Sequence, residues 1–120
     1  MAEVNLLNST KMTAGMVSGT ATNSVVVKIT TATDYLIKLV SMSIHNSSDG
    51  TETVVVSVGP TDDLSEIYVQ SLNDNYNMHN DGTDGRIADR FPIYLPEGYS
   101  IAIRGNDCEY MICYEKYSHI

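Results

Sequence analysis

Tyr35-Leu36-Ile37-Lys38-Leu39-Val40-Ser41-Met42-Ser43-Ile44-His45 is followed by Asn46-Ser47-Ser48-Asp49-Gly50, and then by Glu52-Thr53-Val54-Val55-Val56-Ser57-Val58. The first run is the longest strand candidate in the chain. Its second half alternates, with Val40, Met42 and Ile44 on one face and Ser41 and Ser43 on the other. Asn46 to Gly50 are turn formers throughout. The returning run is rich in β-branched residues and sets Val54, Val56 and Val58 on one face. Together the two runs predict a β-hairpin.

Outward from this pair the chain stays β in character. Val25-Val26-Val27-Lys28-Ile29-Thr30 is a β-branched run, separated from Tyr35 by the turn Thr31-Ala32-Thr33-Asp34. Gly59-Pro60-Thr61-Asp62-Asp63 closes the strand before it, and Glu66-Ile67-Tyr68-Val69-Gln70 reads as a short strand. In Phe91-Pro92-Ile93-Tyr94-Leu95 the proline places the strand at an edge or puts Pro92 at its start. Pro96-Glu97-Gly98 is a tight turn, Tyr99 to Arg104 alternates, and Gly105-Asn106-Asp107 turns the chain again. In the last strand, Cys108 to Tyr117, Tyr110, Ile112 and Tyr114 share one face while Met111 and Cys113 share the other. Apolar residues on both faces predict a central strand or one covered by a neighbouring subunit. Turn signals separate about seven strands and no helical periodicity appears, so the fold class is all-β: an antiparallel β-sandwich or jelly-roll-like domain.

Two segments stand apart. Residues 1–23 are polar, with Val4, Leu6, Leu7, Met12, Met16 and Val17 scattered among Ser, Thr, Asn and Gly15 and Gly19. They predict an extended N-terminal arm preceding a single domain over 24–120. Asn73 to Gly85 is a long Asn- and Asp-rich loop, the natural place for variable contacts. The expected partner-binding residues are therefore Leu6, Leu7, Met12 and Met16 on the arm and Tyr76 and His79 in the loop.

Charge narrows the partners. The 120 residues carry 15 acids against seven Lys plus Arg, a net charge of −8. No two of the cations are adjacent, so the basic footprint that a nucleic acid or an anionic membrane requires is missing from the sequence. Neither a basic, apolar leader nor a run of roughly 20 apolar residues is visible. Cys108 and Cys113 lie five apart in one strand, which sets them about 16 Å apart on opposite faces. That is beyond the reach of a disulfide, and two reduced thiols fit folding in a cytosol.

Motifs for chemistry are sparse. His45, His79 and His119 are dispersed, and no G-x-S-x-G elbow accompanies them. No CxxC or HxxxH pair supplies a zinc site, and no glycine pattern of a nucleotide-binding loop is present. The 73–85 loop is rich in oxygen ligands, yet counted from Asn73 its sixth position is Met78 and not the glycine of an EF-hand. A calcium site of another kind and a plain solvated loop both fit it. Tyr76 with Asn75, Asn77 and His79 has the composition of a sugar platform, although one tyrosine is normal in an ordinary polar loop, which is the reading that the composition favours. Asp62-Asp63 is a hydrated loop end. The sequence thus predicts no catalytic residue, no metal ligand set and no cofactor.

The aliphatic strand Tyr35 to Ile44, its Asn46-Ser47-Ser48 turn, the strand Thr53-Val54-Val55-Val56-Ser57-Val58 and the later Pro92-Ile93-Tyr94-Leu95-Pro96-Glu97-Gly98-Tyr99-Ser100-Ile101 resemble small β-sandwich structural proteins of tailed-phage virions. The resemblance covers residues 33–117 and is interrupted over 59–90. It implies a non-enzymatic virion protein assembled in the bacterial cytoplasm, foremost a capsid decoration (cement) protein. Neck or tail adaptors and carbohydrate- or receptor-binding fibre modules are the alternatives. The implied partners are the major capsid or neck proteins and further copies of the chain, with no nucleic acid and no membrane. The N-terminal arm and the 73–85 loop depart from the family pattern.

Overall fold

The computed structural model describes residues 11–72 and 90–118. They form eight strands: β1 (Lys11–Thr20), β2 (Val26–Thr30), β3 (Tyr35–Asn46), β4 (Glu52–Pro60), β5 (Ser65–Leu72), β6 (Ile93–Leu95), β7 (Tyr99–Arg104) and β8 (Cys108–Ser118). Two four-stranded antiparallel sheets, ordered β1-β8-β3-β6 and β2-β7-β4-β5, pack face to face as a β-sandwich. The pairing follows one rule: β1 with β8, β2 with β7, β3 with β6, and β4 with β5. The first half of the chain is a ribbon laid antiparallel along the second half. Folding that ribbon over itself sends alternate pairs to opposite sheets, and the β3–β8 and β4–β7 ladders complete each sheet. This is jelly-roll connectivity.

β3 and β4 are not the hairpin that their alternation predicts. β3 lies in the first sheet and β4 in the second. A strand with one buried face reads the same whether its turn leads to a neighbour in its own sheet or to the facing sheet. What marks the crossing is Asn46, whose side chain is buried although it begins a turn. Its Nδ2 donates to the carbonyls of Gly50 (2.8 Å) and Leu72 (2.9 Å), and its Oδ1 accepts from Ser48 N (2.9 Å). One side chain shapes the turn and ties it to the end of β5 in the other sheet.

The facing of β3 also differs from strict alternation. A β-bulge falls between Leu39 and Ser41, opposite Tyr114 and Cys113. The extra residue is Val40, which is exposed, while Ile37, Leu39, Met42 and Ile44 are buried. A bulge shifts the side-chain phase by one, so Val40 leaves the face that Met42 and Ile44 share.

Residues 11–20, read from the sequence as the distal part of an arm, are β1 and pair with β8 over their whole length. The domain therefore begins earlier than residue 24. Gly15 and Gly19 make this strand possible. Gly15 lies opposite Tyr114 and Gly19 opposite Tyr110. A Cβ at Gly15 would collide with the Tyr114 ring, and one at Gly19 would come within 2.9 Å of the Tyr110 hydroxyl. The two rings use the space that missing side chains leave, which is how strand glycines admit a close neighbour. Residues 1–10 lie outside the described residues.

The core joins Ile37, Leu39, Met42, Ile44, Leu95 and Ile112 of the first sheet to Ile29, Val54, Val56, Tyr68, Leu72, Ile101 and Ile103 of the second. β8 is central between β1 and β3, as apolar residues on both its faces predict. Pro92 immediately precedes β6, an edge strand of its sheet among the described strands.

Cys108 is buried at the start of β8, and Cys113 is half-buried; both are free thiols. Burial, with Glu52 and Asp107 nearby, pushes the Cys108 thiol up to about 11 from 9.0. The folded protein therefore holds this proton more tightly than the unfolded chain. Stability from it is complete below pH 9 and falls as pH rises through 9 to 11. At pH 10 the loss is on the order of 1 kcal/mol, visible as a drop in urea midpoint that Cys108→Ala removes.

Candidate functional site

The outer face of the first sheet follows from register. β1 residues Met12, Ala14, Met16 and Ser18 stand opposite Tyr117, Glu115, Cys113 and Met111 of β8. These in turn stand opposite Leu36, Lys38, Ser41 with its bulged neighbour Val40, and Ser43 of β3. Tyr94 of β6 lies beside Lys38. Five large apolar side chains on this face are open to solvent: Met12, Met16 (59% exposed), Val40, Tyr94 and Met111. Cys113 sits in the middle of them. Polar relief is slight. Lys38 Nζ meets Glu115 Oε1 at 3.8 Å, and Tyr117 Oη donates to the same oxygen at 2.7 Å, which raises the tyrosine's pKa.

The second sheet has its own outer face. Val27, Ala102 and Ser57 share one register row, and Arg104, Val55 and Val69 share the next. Val27 and Val69 are exposed, as is Val25 just before β2, whereas Val55, Ser57 and Ala102 are buried. Ser100 also points outward, where its hydroxyl is shared between Thr30 Oγ1 (2.8 Å) and Thr61 Oγ1 (2.6 Å).

A third feature is the open side of the sandwich, where the edge strands β1 and β2 flank the gap between the sheets. A cleft of about 290 Å³ is lined there by Val17, Lys28, Ile29, Thr30, Ala32, Ile37, Tyr114 and Lys116. Next to it, and sharing Lys116, is a cavity of about 120 Å³ lined by Lys11, Thr13, Tyr35, Lys116 and Ser118. Lys28 Nζ lies 4.9 Å from the centre of the Tyr110 ring, and Lys116 Nζ lies 4.7 Å from that of Tyr35.

Of the residues expected to bind a partner, Met12 and Met16 come together on the outer face of β1. Leu6, Leu7, Tyr76 and His79 lie outside the described residues. The sequence reading missed Val40, Tyr94 and Met111 as parts of the same surface. Met111 carried a signal, since it shares with Cys113 the second face of an already apolar strand. Val40 carried none, because the bulge that exposes it is not legible in the alternation. His45, at the end of β3, stands opposite Glu109. Among the described residues no group of three His, Cys, Asp or Glu side chains gathers as metal ligands would.

No family model and no curated protein matches the chain. One solved structure, from work on disulfide-linked pili that form Bacillus endospore appendages, aligns over 100% of both chains with a TM-score of 0.47 and 8% identity. A likeness that faint carries no argument about function, and the case rests on the surfaces themselves.

Proposed function

We propose that this chain is a non-enzymatic building block of a larger particle, a tailed-phage capsid decoration protein that associates with other copies and with the shell through its sheet faces. The observation that carries the reading is the outer face of the first sheet, where Met12, Met16, Val40, Tyr94 and Met111 are exposed together. Exposed apolar side chains gathered on one sheet face favour a contact site. Methionine and tyrosine are the side chains that interfaces favour: methionine adapts its shape, and tyrosine joins an apolar ring to a polar tip. The net charge of −8 supports the same reading, because it keeps an isolated subunit soluble until it is incorporated. The virion setting draws its support from the strand–turn–strand pattern around Asn46 and the Pro92–Ile101 segment.

Mass spectrometry of purified, extensively washed phage particles tests the setting. The chain is expected in fixed stoichiometry to the major capsid protein. Its absence from intact particles, with presence only in the soluble lysate, contradicts the proposal.

A further inference from the structure

We propose that the open side of the sandwich between β1 and β2 is a receptor groove for an extended, carboxylate-bearing segment of a neighbouring protein chain. The groove is separate from the outer face on which the proposed function rests. Lys11, Lys28 and Lys116 line it, three of the seven cations in a chain of net charge −8. Among the described residues, no carboxylate lines either of its two chambers. The ion pair seen among the described residues, Lys38–Glu115, lies on the opposite face of the sheet. In so acidic a protein, two adjoining chambers that hold Lys28 with Lys116 and Lys11 with Lys116, and no carboxylate among the described residues lining them, form a positive site suited to an anionic group.

What those lysines touch supports this. Lys28 and Lys116 rest on the rings of Tyr110 and Tyr35. A cation–π contact at a half-exposed site is weaker than a charge-assisted hydrogen bond to a carboxylate, so an arriving acid gains by taking the ammonium groups. The smaller chamber also holds the Ser118 hydroxyl, whose oxygen is buried without a hydrogen-bond partner among the described residues. A buried hydroxyl in that condition is costly, and it is placed to donate to an anion held by Lys11 and Lys116. Thr13 adds a second hydroxyl there, and Thr30 lines the larger chamber.

A polypeptide, and not a free anion or an acidic sugar, is the occupant that the strands favour. Among the described strands β1 and β2 are edges of their sheets, and an edge strand offers backbone N–H and C=O groups to an extended chain. A strand directs every second side chain to the same side. Acids at alternate positions would therefore all meet the lysines while the backbone pairs with the edge. Val17, Ile29, Ala32, Ile37 and Tyr114 supply apolar wall for the stems of those side chains.

The test uses the full chain and a fluorescein-labelled peptide with glutamate at alternate positions among Thr and Val, read by anisotropy. The glutamine version of the peptide, sodium tripolyphosphate and an oligogalacturonate are the comparison ligands. The glutamate peptide is expected to bind at least tenfold more tightly than the glutamine peptide. Lys28→Gln and Lys116→Gln each weaken it about tenfold with unchanged thermal midpoints, Lys116→Arg retains it, and Lys38→Gln has no effect. Equal binding of the two peptides, no binding of either, or equal loss in Lys38→Gln overturns the proposal. Tighter lysine-dependent binding of tripolyphosphate or the galacturonate than of the peptide overturns the protein occupant in favour of a phosphate or a sugar acid. Met16→Glu/Met111→Glu, which alters the outer face, leaves peptide binding intact, so the groove and the proposed function succeed or fail separately.

Discussion

Asn46→Ala lowers the unfolding free energy by about 3 kcal/mol, the loss expected for deleting a buried side chain that makes three hydrogen bonds, one of them to a buried carbonyl. The Asn46 amide donates to Gly50 and to Leu72 in the other sheet and accepts from the Ser48 amide. The Gly50 carbonyl regains water when the amide is lost, since Gly50 is exposed. The Leu72 carbonyl belongs to a fully buried residue, where water does not replace the lost bond. Asn46→Asp keeps the acceptor but loses both donated bonds and faces two carbonyl oxygens with a carboxylate, so it costs at least as much. Urea unfolding followed by circular dichroism gives the answer. A loss under about 1 kcal/mol, within the range of an ordinary exposed turn residue, removes Asn46 as the pin between the sheets.

Gly15→Val costs about 2–3 kcal/mol, because the new side chain occupies the space of the Tyr114 ring. The ring is half-buried against the core, so it must swing out or β1 must lift from β8. Gly15→Ala is the sharper probe. It is destabilising in the natural background and neutral or slightly stabilising in a Tyr114→Ala background, where the collision is gone and alanine's lower backbone entropy helps. Equal cost in both backgrounds means that Tyr114 does not fill the space over Gly15.

These positions show what the sequence revealed and what it hid. The alternation from Val25 onward is legible because strands half-buried in a sandwich must sort side chains by parity. It identifies β2, β3, β4, β7 and β8, the central place of β8 and the role of Pro92. It does not say which sheet a strand joins, and so β3 and β4 look like a hairpin. β1 is hidden for a different reason. Its inward positions include Gly15, Val17 and Gly19, and its outward ones include Met12 and Met16, so apolarity falls on the exposed face and the glycines read as breakers. Only the matching three-residue gap between Tyr110 and Tyr114 hints that the two segments belong together. The exposed apolar face was half legible: Met12 and Met16 stand out in a polar stretch, while Val40 depends on a bulge and Tyr94 on its place at an edge. The lysine groove was not legible, since Lys11, Lys28 and Lys116 are far apart in sequence and come to adjoining chambers only when the two sheets pack.

The proposed function makes the outer face of β1, β8, β3 and β6 an interface between copies of the chain. Sedimentation equilibrium of the purified full chain over a micromolar concentration series, beside Met16→Glu/Met111→Glu, tests it most directly. The natural chain is expected to sediment as an oligomer, and the variant, with the same melting profile, as a monomer. A natural chain that is monomeric throughout the series, or a variant of equal mass, contradicts the account.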